Sequence, residues 1–132
     1  MIVLDFTGLV FNEQSPIYLQ LVRYVQSAIV AGTAAPGEEL PSRRLLSSLL
    51  GVNPNTIQKA YRIMEEEGLL VSHAGSGSVL TFTAESAARL RRQLLLEDTR
   101  GYVALLRSMG LTLQQAGGLL EEVWNEENGR ES

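Results

Sequence analysis

The sequence predicts a mainly α-helical protein with a small β-hairpin, in which three helices and the hairpin are followed by two longer helices. Two observations lead to this prediction. Apolar residues recur at helical spacing in five segments, and residues that begin or end helices flank those segments. Between the third and fourth segments, two short β-prone runs surround a glycine-containing turn.

The first helix is predicted from Ser15 to Ala31. Ser15 is expected to cap it, Pro16 has the backbone angle favoured at the first helical position, and Gly32 stops it. A buried stripe is expected along one face of this helix, made of Ile17, Leu21, Val25, Ala28 and Ile29. A turn over residues 34–39 separates this helix from the next.

The second and third helices are short and close together. Ser42 is expected to cap the second, which has about eight residues and ends at Gly51. Asn53 and Pro54 repeat the signal of a cap followed by proline, and Gly68 ends the third helix. The expected apolar positions are Leu45, Leu46, Leu49 and Leu50 in the second helix and Ile57, Ala60, Tyr61 and Met64 in the third.

A hairpin is predicted directly after the third helix. Residues 69–73 and 78–82 are β-prone, and the glycines of the Ala74-Gly75-Ser76-Gly77 segment permit a tight turn between them. Two short helices joined by a tight turn, with a hairpin after them, describe a winged helix-turn-helix. This fold raises nucleic-acid binding as a hypothesis.

The distribution of charge supports the same hypothesis. The chain has a net charge of −4, which argues against a nonspecific coat on nucleic acid, but residues 40–64 carry a local charge of +4 and no acidic residue. Residues 108–132 carry a local charge of −4. Arginine, lysine, asparagine and glutamine can bind phosphates and base edges, so the first of these segments is the one expected to face DNA.

Alternatives remain open on these grounds alone. The polar face of the third helix could be an ordinary solvated surface, and a winged helix with an acidic isoelectric point could serve as a protein-interaction module. RNA is a less suitable partner, because a protruding helix does not readily enter the deep, narrow major groove of A-form RNA.

The sequence offers little for catalysis, metal binding or secretion. There is no cysteine, and His73 is the only histidine, so a conventional zinc site cannot be built from one chain; His73 is interpreted as a polar surface residue that could touch phosphate. No paired base and nucleophile is recognisable, so we expect neither enzymatic activity nor a cofactor. There is no signal peptide and no apolar run near the roughly 18 residues of a membrane span, which predicts a cytoplasmic protein with no membrane partner.

Five segments of the chain resemble a known family. They are residues 17–21 (IYLQL), 36–44 (PGEELPSRR), 51–61 (GVNPNTIQKAY), 65–70 (EEEGLL) and 75–78 (GSGS). Together they resemble the GntR family of bacterial transcription regulators. The Val-Asn-Pro-Asn-Thr segment and the short two-helix tail look like the YtrA subfamily, which lacks the large effector-binding domain of other members.

The resemblance implies a set of DNA-binding residues. Arg44 stands at the arginine of the Pro-Ser-x-Arg motif, and Asn55, Thr56 and Gln58 occupy the operator-facing positions of the recognition helix. The full set expected at DNA is Ser42, Arg43, Arg44, Asn53, Asn55, Thr56, Gln58, Lys59, Arg62, Gly75, Ser76 and Gly77. Arg43 replaces an acidic residue common in the family, which is expected to strengthen phosphate contact. The tip of the hairpin lacks the basic residue of many relatives.

The remaining helices are interpreted as a dimerisation domain. The predicted divisions are an N-terminal arm at 1–14, which looks longer than usual, the winged helix-turn-helix at 15–82, a helical domain at 83–127 and a flexible tail at 128–132. The apolar faces after residue 82 exceed what one helical hairpin can bury. The residues expected at a two-fold dimer interface are Leu90, Leu94, Tyr102, Leu105, Leu106, Leu113, Leu120 and Trp124.

The resemblance and this symmetry together predict a homodimeric regulator, a repressor in function, that binds an inverted-repeat operator in double-stranded DNA. So little chain follows residue 82 that a small effector, if one exists, is expected at the dimer interface or at the junction of the two parts. Its identity cannot be read from the sequence.

Overall fold

The computed structural model describes residues 3–73 and 77–131. Its elements are, in order, α1 (Ile17–Ala31), β1 (Glu39–Leu40), α2 (Arg43–Leu50), α3 (Pro54–Glu66), β2 (Leu70–His73), β3 (Gly77–Leu80), α4 (Ala84–Ser108) and α5 (Leu113–Glu131). The predicted fold class is confirmed. The chain divides into two compact units, the first ending at Arg91 and the second beginning at Arg92. None of the helices in the described ranges combines the length and apolar character of a membrane span.

The first helix differs from its prediction at its start and in its buried stripe, where Ile17 in the first turn is exposed and Ala28 is only partly buried. α1 begins at Ile17, Pro16 is the capping residue, and no side chain bonds to the free amides there. Ser15 is therefore not the cap: the extended ψ of 143° at Pro16 places the proline outside the helix, and the amides of Leu19 and Gln20 bond to its carbonyl instead. Gly32 ends the helix in the left-handed conformation, as predicted.

The caps of α2 and α3 form as predicted. Ser42 Oγ accepts a hydrogen bond of 3.1 Å from the amide of Leu45, and Asn53 Oδ1 accepts one of 2.8 Å from the amide of Asn55. Gly51 is left-handed, with a φ of 66°. These bonds satisfy amides that a helix start leaves free, so the sequence fixes both helix starts locally.

The apolar face predicted for α2 is only partly buried. Leu46 is fully buried, whereas Leu45 and Leu49 are exposed and Leu50 is intermediate. An eight-residue helix that packs against α3 along one side can bury a single row of side chains, which corrects the expectation that all four leucines are buried. α3 buries its predicted face completely.

The sheet has one strand more than the sequence predicted. Its order is β1–β3–β2, with both pairs antiparallel, and Glu39 and Leu40 lie opposite Val79 and Ser78 of β3. Val3 extends this edge by a parallel bridge to Glu39. A two-residue strand within a turn is too short to show periodicity, which is why it was not predicted.

Residues before α1 pack against the rest of the first unit. Leu4 and Phe6 are buried, and the ring of Phe6 stacks on that of Tyr24 with centroids 5.4 Å apart. The hydroxyl of Tyr24 donates a hydrogen bond of 2.7 Å to the carbonyl of Asp5. Through these contacts, Asp5 and Phe6 pack against Tyr24 of α1.

Replacing Phe6 by alanine is expected to lower the free energy of unfolding by about 3 kcal/mol, because it removes a buried ring and its stacking partner. Urea denaturation of the full chain measures this difference. Val10→Ala is the matched control: Val10 is 84% exposed, and its truncation is expected to change stability by less than about 0.5 kcal/mol. Equal losses in the two variants would mean that the packing of Phe6 contributes nothing.

Both long helices begin with reciprocal side-chain caps. At α4, Thr83 and Ser86 each accept a hydrogen bond from the other's amide. At α5, the amide of Thr112 donates to Gln115 Oε1 and the amide of Gln115 donates to Thr112 Oγ1, which confirms the predicted capping box. Gly110 ends the preceding segment at a φ of 82°.

Candidate nucleic-acid interface

The exposed face of α3 is polar and free of acidic side chains along its first ten residues. Ile57, Ala60, Tyr61 and Met64 are buried, which fixes the rotation of the helix about its axis. The opposite faces expose the predicted residues Asn53, Asn55, Gln58, Lys59 and Arg62, with Thr56 partly exposed. Most of the side chains predicted to reach DNA from this helix therefore lie on its solvent side.

The amino end of α3 is suited to an anion. Its first turn contains no acidic residue, Pro54 has no amide hydrogen, and the amides of Asn55 and Thr56 donate to the side chain and the carbonyl of Asn53. The aligned peptide dipoles of a helix leave a partial positive charge at its start. A phosphate placed there would be stabilised by this partial charge and would meet no acidic side chain in the first turn of α3.

Tyr61 anchors α3 to the segment that precedes α2. It is 1% exposed, and its hydroxyl donates a hydrogen bond of 2.7 Å to the carbonyl of Pro41. Burial raises the pKa of the Tyr61 phenol well above its usual range, although the positive charge of Arg43 acts in the opposite direction. The phenol therefore remains a neutral donor. Its bond to Pro41 holds α3 against the segment before α2.

The two arginines at the start of α2 have different environments. Arg44 is exposed, as expected of a DNA contact. Arg43 is half-buried: its guanidinium carbon lies 5.2 Å from the centroid of the Tyr61 ring, and Nη2 donates to Ser72 Oγ at 2.9 Å. In this structure Arg43 contacts Tyr61 and Ser72 of its own domain, and its predicted contact with phosphate stays a prediction. Tyr61 and Ser72 are distant from Arg43 in sequence, so the spacing of residues along the chain could not predict these contacts.

Lys59 has a partner that the sequence analysis missed. Its ammonium nitrogen lies 3.9 Å from the centroid of the Tyr18 ring at the start of α1, a cation–π contact. The two residues are separated by most of the domain in sequence, and only the packing of α1 on α3 brings them together. Tyr18 thus restricts where Lys59 can reach.

The hairpin supplies the wing. β2 and β3 pair from Leu70 opposite Leu80 to His73 opposite Gly77, and His73 is exposed at the end of its strand. Gly77 has a φ of 87°, a conformation that L side chains rarely adopt. The predicted DNA contacts Gly75 and Ser76 lie outside the described residues.

The side chains expected at a dimer interface fall into two groups. Leu90, Leu94 and Leu106 are buried within a single chain. Exposed apolar surface comes from Tyr102 and Leu105 in α4 and, most strongly, from residues of α5 and its start: Leu113 is 90%, Leu120 61% and Trp124 66% exposed. Of the predicted interface residues, these five are the ones that a single chain leaves exposed.

Comparison with known proteins agrees with this geometry. Residues 17–80 match the family model described as bacterial regulatory proteins, gntR family. The chain is also 34% identical over 105 residues to YhcF of Bacillus subtilis, an uncharacterized HTH-type transcriptional regulator, and the aligned part covers 80% of this chain and 87% of that protein. This chain belongs to the GntR family.

Two further relatives match this GntR chain over most of both lengths. It is 26% identical over 113 residues to the HTH-type transcriptional repressor YtrA of Bacillus subtilis, covering 85% of this chain and 87% of that one. A GntR family transcriptional regulator from Listeria monocytogenes superimposes with a TM-score of 0.76 at 30% identity, covering 85% of this chain and 98% of that one. The similarity to GntR regulators therefore extends beyond the matched segment.

Proposed function

We propose that this GntR-family protein is a repressor that binds an inverted-repeat operator as a homodimer and acts in the cytoplasm. The observation that carries the proposal is the geometry of α3, whose buried face is fixed while its exposed faces carry polar and basic side chains without a carboxylate along its first ten residues. Such a helix can enter a major groove without repulsion from the phosphates.

The exposed side chains divide by chemistry into two roles. Asn55 and Gln58 can bond adenine edges with both an amide donor and an acceptor, and we assign them to base recognition. Arg44, Lys59 and Arg62 are assigned to phosphates, which would fix the register of the helix in the groove. Ser42, Asn53 and Thr56 lie close to these in sequence and supply neutral donors.

The second unit supports dimerisation by its exposed apolar side chains. Leu113, Leu120 and Trp124 present more apolar surface than an isolated helical pair usually leaves to solvent. Residues 108–132 also carry a charge of −4, so this end is expected to lie away from the DNA. A two-fold axis through this unit would present two copies of α3 to two half-sites.

Repression is proposed from the relatives. YtrA of Bacillus subtilis is named a transcriptional repressor, and it matches this chain over most of both lengths. A dimer that occupies an operator can block transcription without contacting another protein, and such a mechanism needs no surface beyond those described.

Selection from a random duplex library tests the proposal. We expect an enriched inverted repeat whose half-site centres lie about 34 Å, or a multiple of this distance, apart. Affinity for the selected duplex is expected to fall steeply with salt, by a log–log slope of about 0.9 for each neutralised phosphate. Recovery of no motif at moderate salt would contradict operator binding and favour a protein-interaction module. A single unrepeated half-site would contradict the dimeric mode.

A further inference from the structure

The side chain of Arg43 joins the three parts of the winged helix-turn-helix. It starts α2, its guanidinium lies over the ring of Tyr61 in α3, and Nη2 bonds to Ser72 Oγ in β2. Stacking on an aromatic face and a bond to a hydroxyl restrict the directions in which this guanidinium can reach a phosphate. The arrangement therefore points to a role inside the domain.

Ser72 continues this connection into the wing, which is formed by β2 and β3. Its Oγ lies 3.2 Å from Oγ of Ser78, the residue opposite it in β3. Its amide donates a hydrogen bond of 3.1 Å to Oε1 of Glu65 near the end of α3. Ser78 is almost completely buried. A short series of polar contacts thus fixes the wing relative to α2 and α3.

Fold stability alone does not account for an arginine at this position. Within the described part of the chain, Arg43 Nε is a buried nitrogen without a hydrogen-bond partner. Such an atom is costly to bury, and an apolar side chain of similar length could cover the Tyr61 ring without that cost. The planar, charged group is better explained by the connection that it makes to Ser72.

We propose that Arg43 is a positioning residue that holds the wing in the orientation in which it touches DNA beside α3. The inference rests on the proposed operator binding. It differs from the expectation drawn from the sequence, in which Arg43 is itself a phosphate ligand. Loss of the Arg43–Ser72 bond would displace the wing while leaving every exposed basic side chain in place.

Three variants of the full chain separate the two roles. Arg43→Lys keeps the charge but loses the planar group that stacks on Tyr61 and reaches Ser72. Arg43→Gln removes the charge, and Ser72→Ala removes the acceptor without changing any charge. Arg91→Gln is the control for charge, because Arg91 is exposed on α4. Affinity for the selected operator is measured by fluorescence anisotropy at several salt concentrations.

Arg43→Lys, Arg43→Gln and Ser72→Ala are each expected to weaken binding about fivefold, and the salt slope should stay that of the parent protein. Arg91→Gln should bind like the parent. If Arg43→Lys and Ser72→Ala bind normally while Arg43→Gln lowers the slope by about 0.9 for each Arg43, the residue is a phosphate ligand and the proposal is wrong.

Hydrogen exchange of the free protein provides a readout that does not depend on DNA. Amides of β2 and β3 are expected to exchange faster in Arg43→Lys and Ser72→Ala than in the parent and in Arg91→Gln. Unchanged exchange in the wing would overturn the positioning role. If the parent itself selects no operator, the proposed function fails, and the exchange comparison alone decides whether Arg43 holds the wing.

Discussion

The double variant Leu120→Asp/Trp124→Asp is expected to be monomeric at micromolar concentration and to bind the operator at least about a hundredfold more weakly than the parent. Both side chains are more than half exposed in one chain, so their replacement should not unfold the monomer. In a dimer they would lie at an apolar interface, where two carboxylates per chain would be desolvated and would repel their symmetry mates. Sedimentation equilibrium and operator titration measure the two effects.

A matched control is available in the first unit. Val10→Asp/Asn12→Asp introduces the same change in net charge at two exposed positions before α1. This variant is expected to remain dimeric. A Leu120→Asp/Trp124→Asp protein that still sediments as a dimer would mean that the subunits associate through another surface. A parent protein that is monomeric at the same concentration would contradict the dimer proposal as a whole.

Replacing Gln58 by alanine is expected to relax the choice of base at one position of each half-site. A side chain that bonds a base edge contributes about 1–3 kcal/mol of discrimination, which corresponds to a roughly 5- to 150-fold loss for one half-site. Repeating the duplex selection with the variant identifies the position that becomes degenerate. Gln14→Ala, at an exposed position before α1, is the matched control and should select the parent motif.

A phosphate ligand should behave differently from Gln58. Arg62→Ala is expected to weaken binding to all duplexes alike and to lower the salt slope by about 0.9 for each copy, without changing the selected motif. If Gln58→Ala instead weakens all duplexes uniformly, this side chain contacts the backbone and the assignment of base recognition to it is wrong.

Much of the local structure of this protein is encoded in short stretches of its sequence. Ser42, Asn53 and Thr112 cap their helices through hydrogen bonds to residues two or three positions away, so each helix start is encoded within one turn. Helical periodicity predicts which residues of α3 are buried, and the remaining polar residues are then expected on its exposed faces. For this reason, the sequence alone places most of the candidate DNA-binding side chains on the solvent side of α3.

The contacts between these elements depend on residues that are distant in sequence. Arg43 lies against Tyr61 and Ser72, and Lys59 lies against Tyr18, because helices and strands that are distant in sequence pack together. The short strand β1 likewise exists only because β3 supplies its partner. A local pattern encodes the propensity of a segment but not the identity of its neighbours. The contacts of Arg43 with Tyr61 and Ser72 therefore could not be predicted from the sequence.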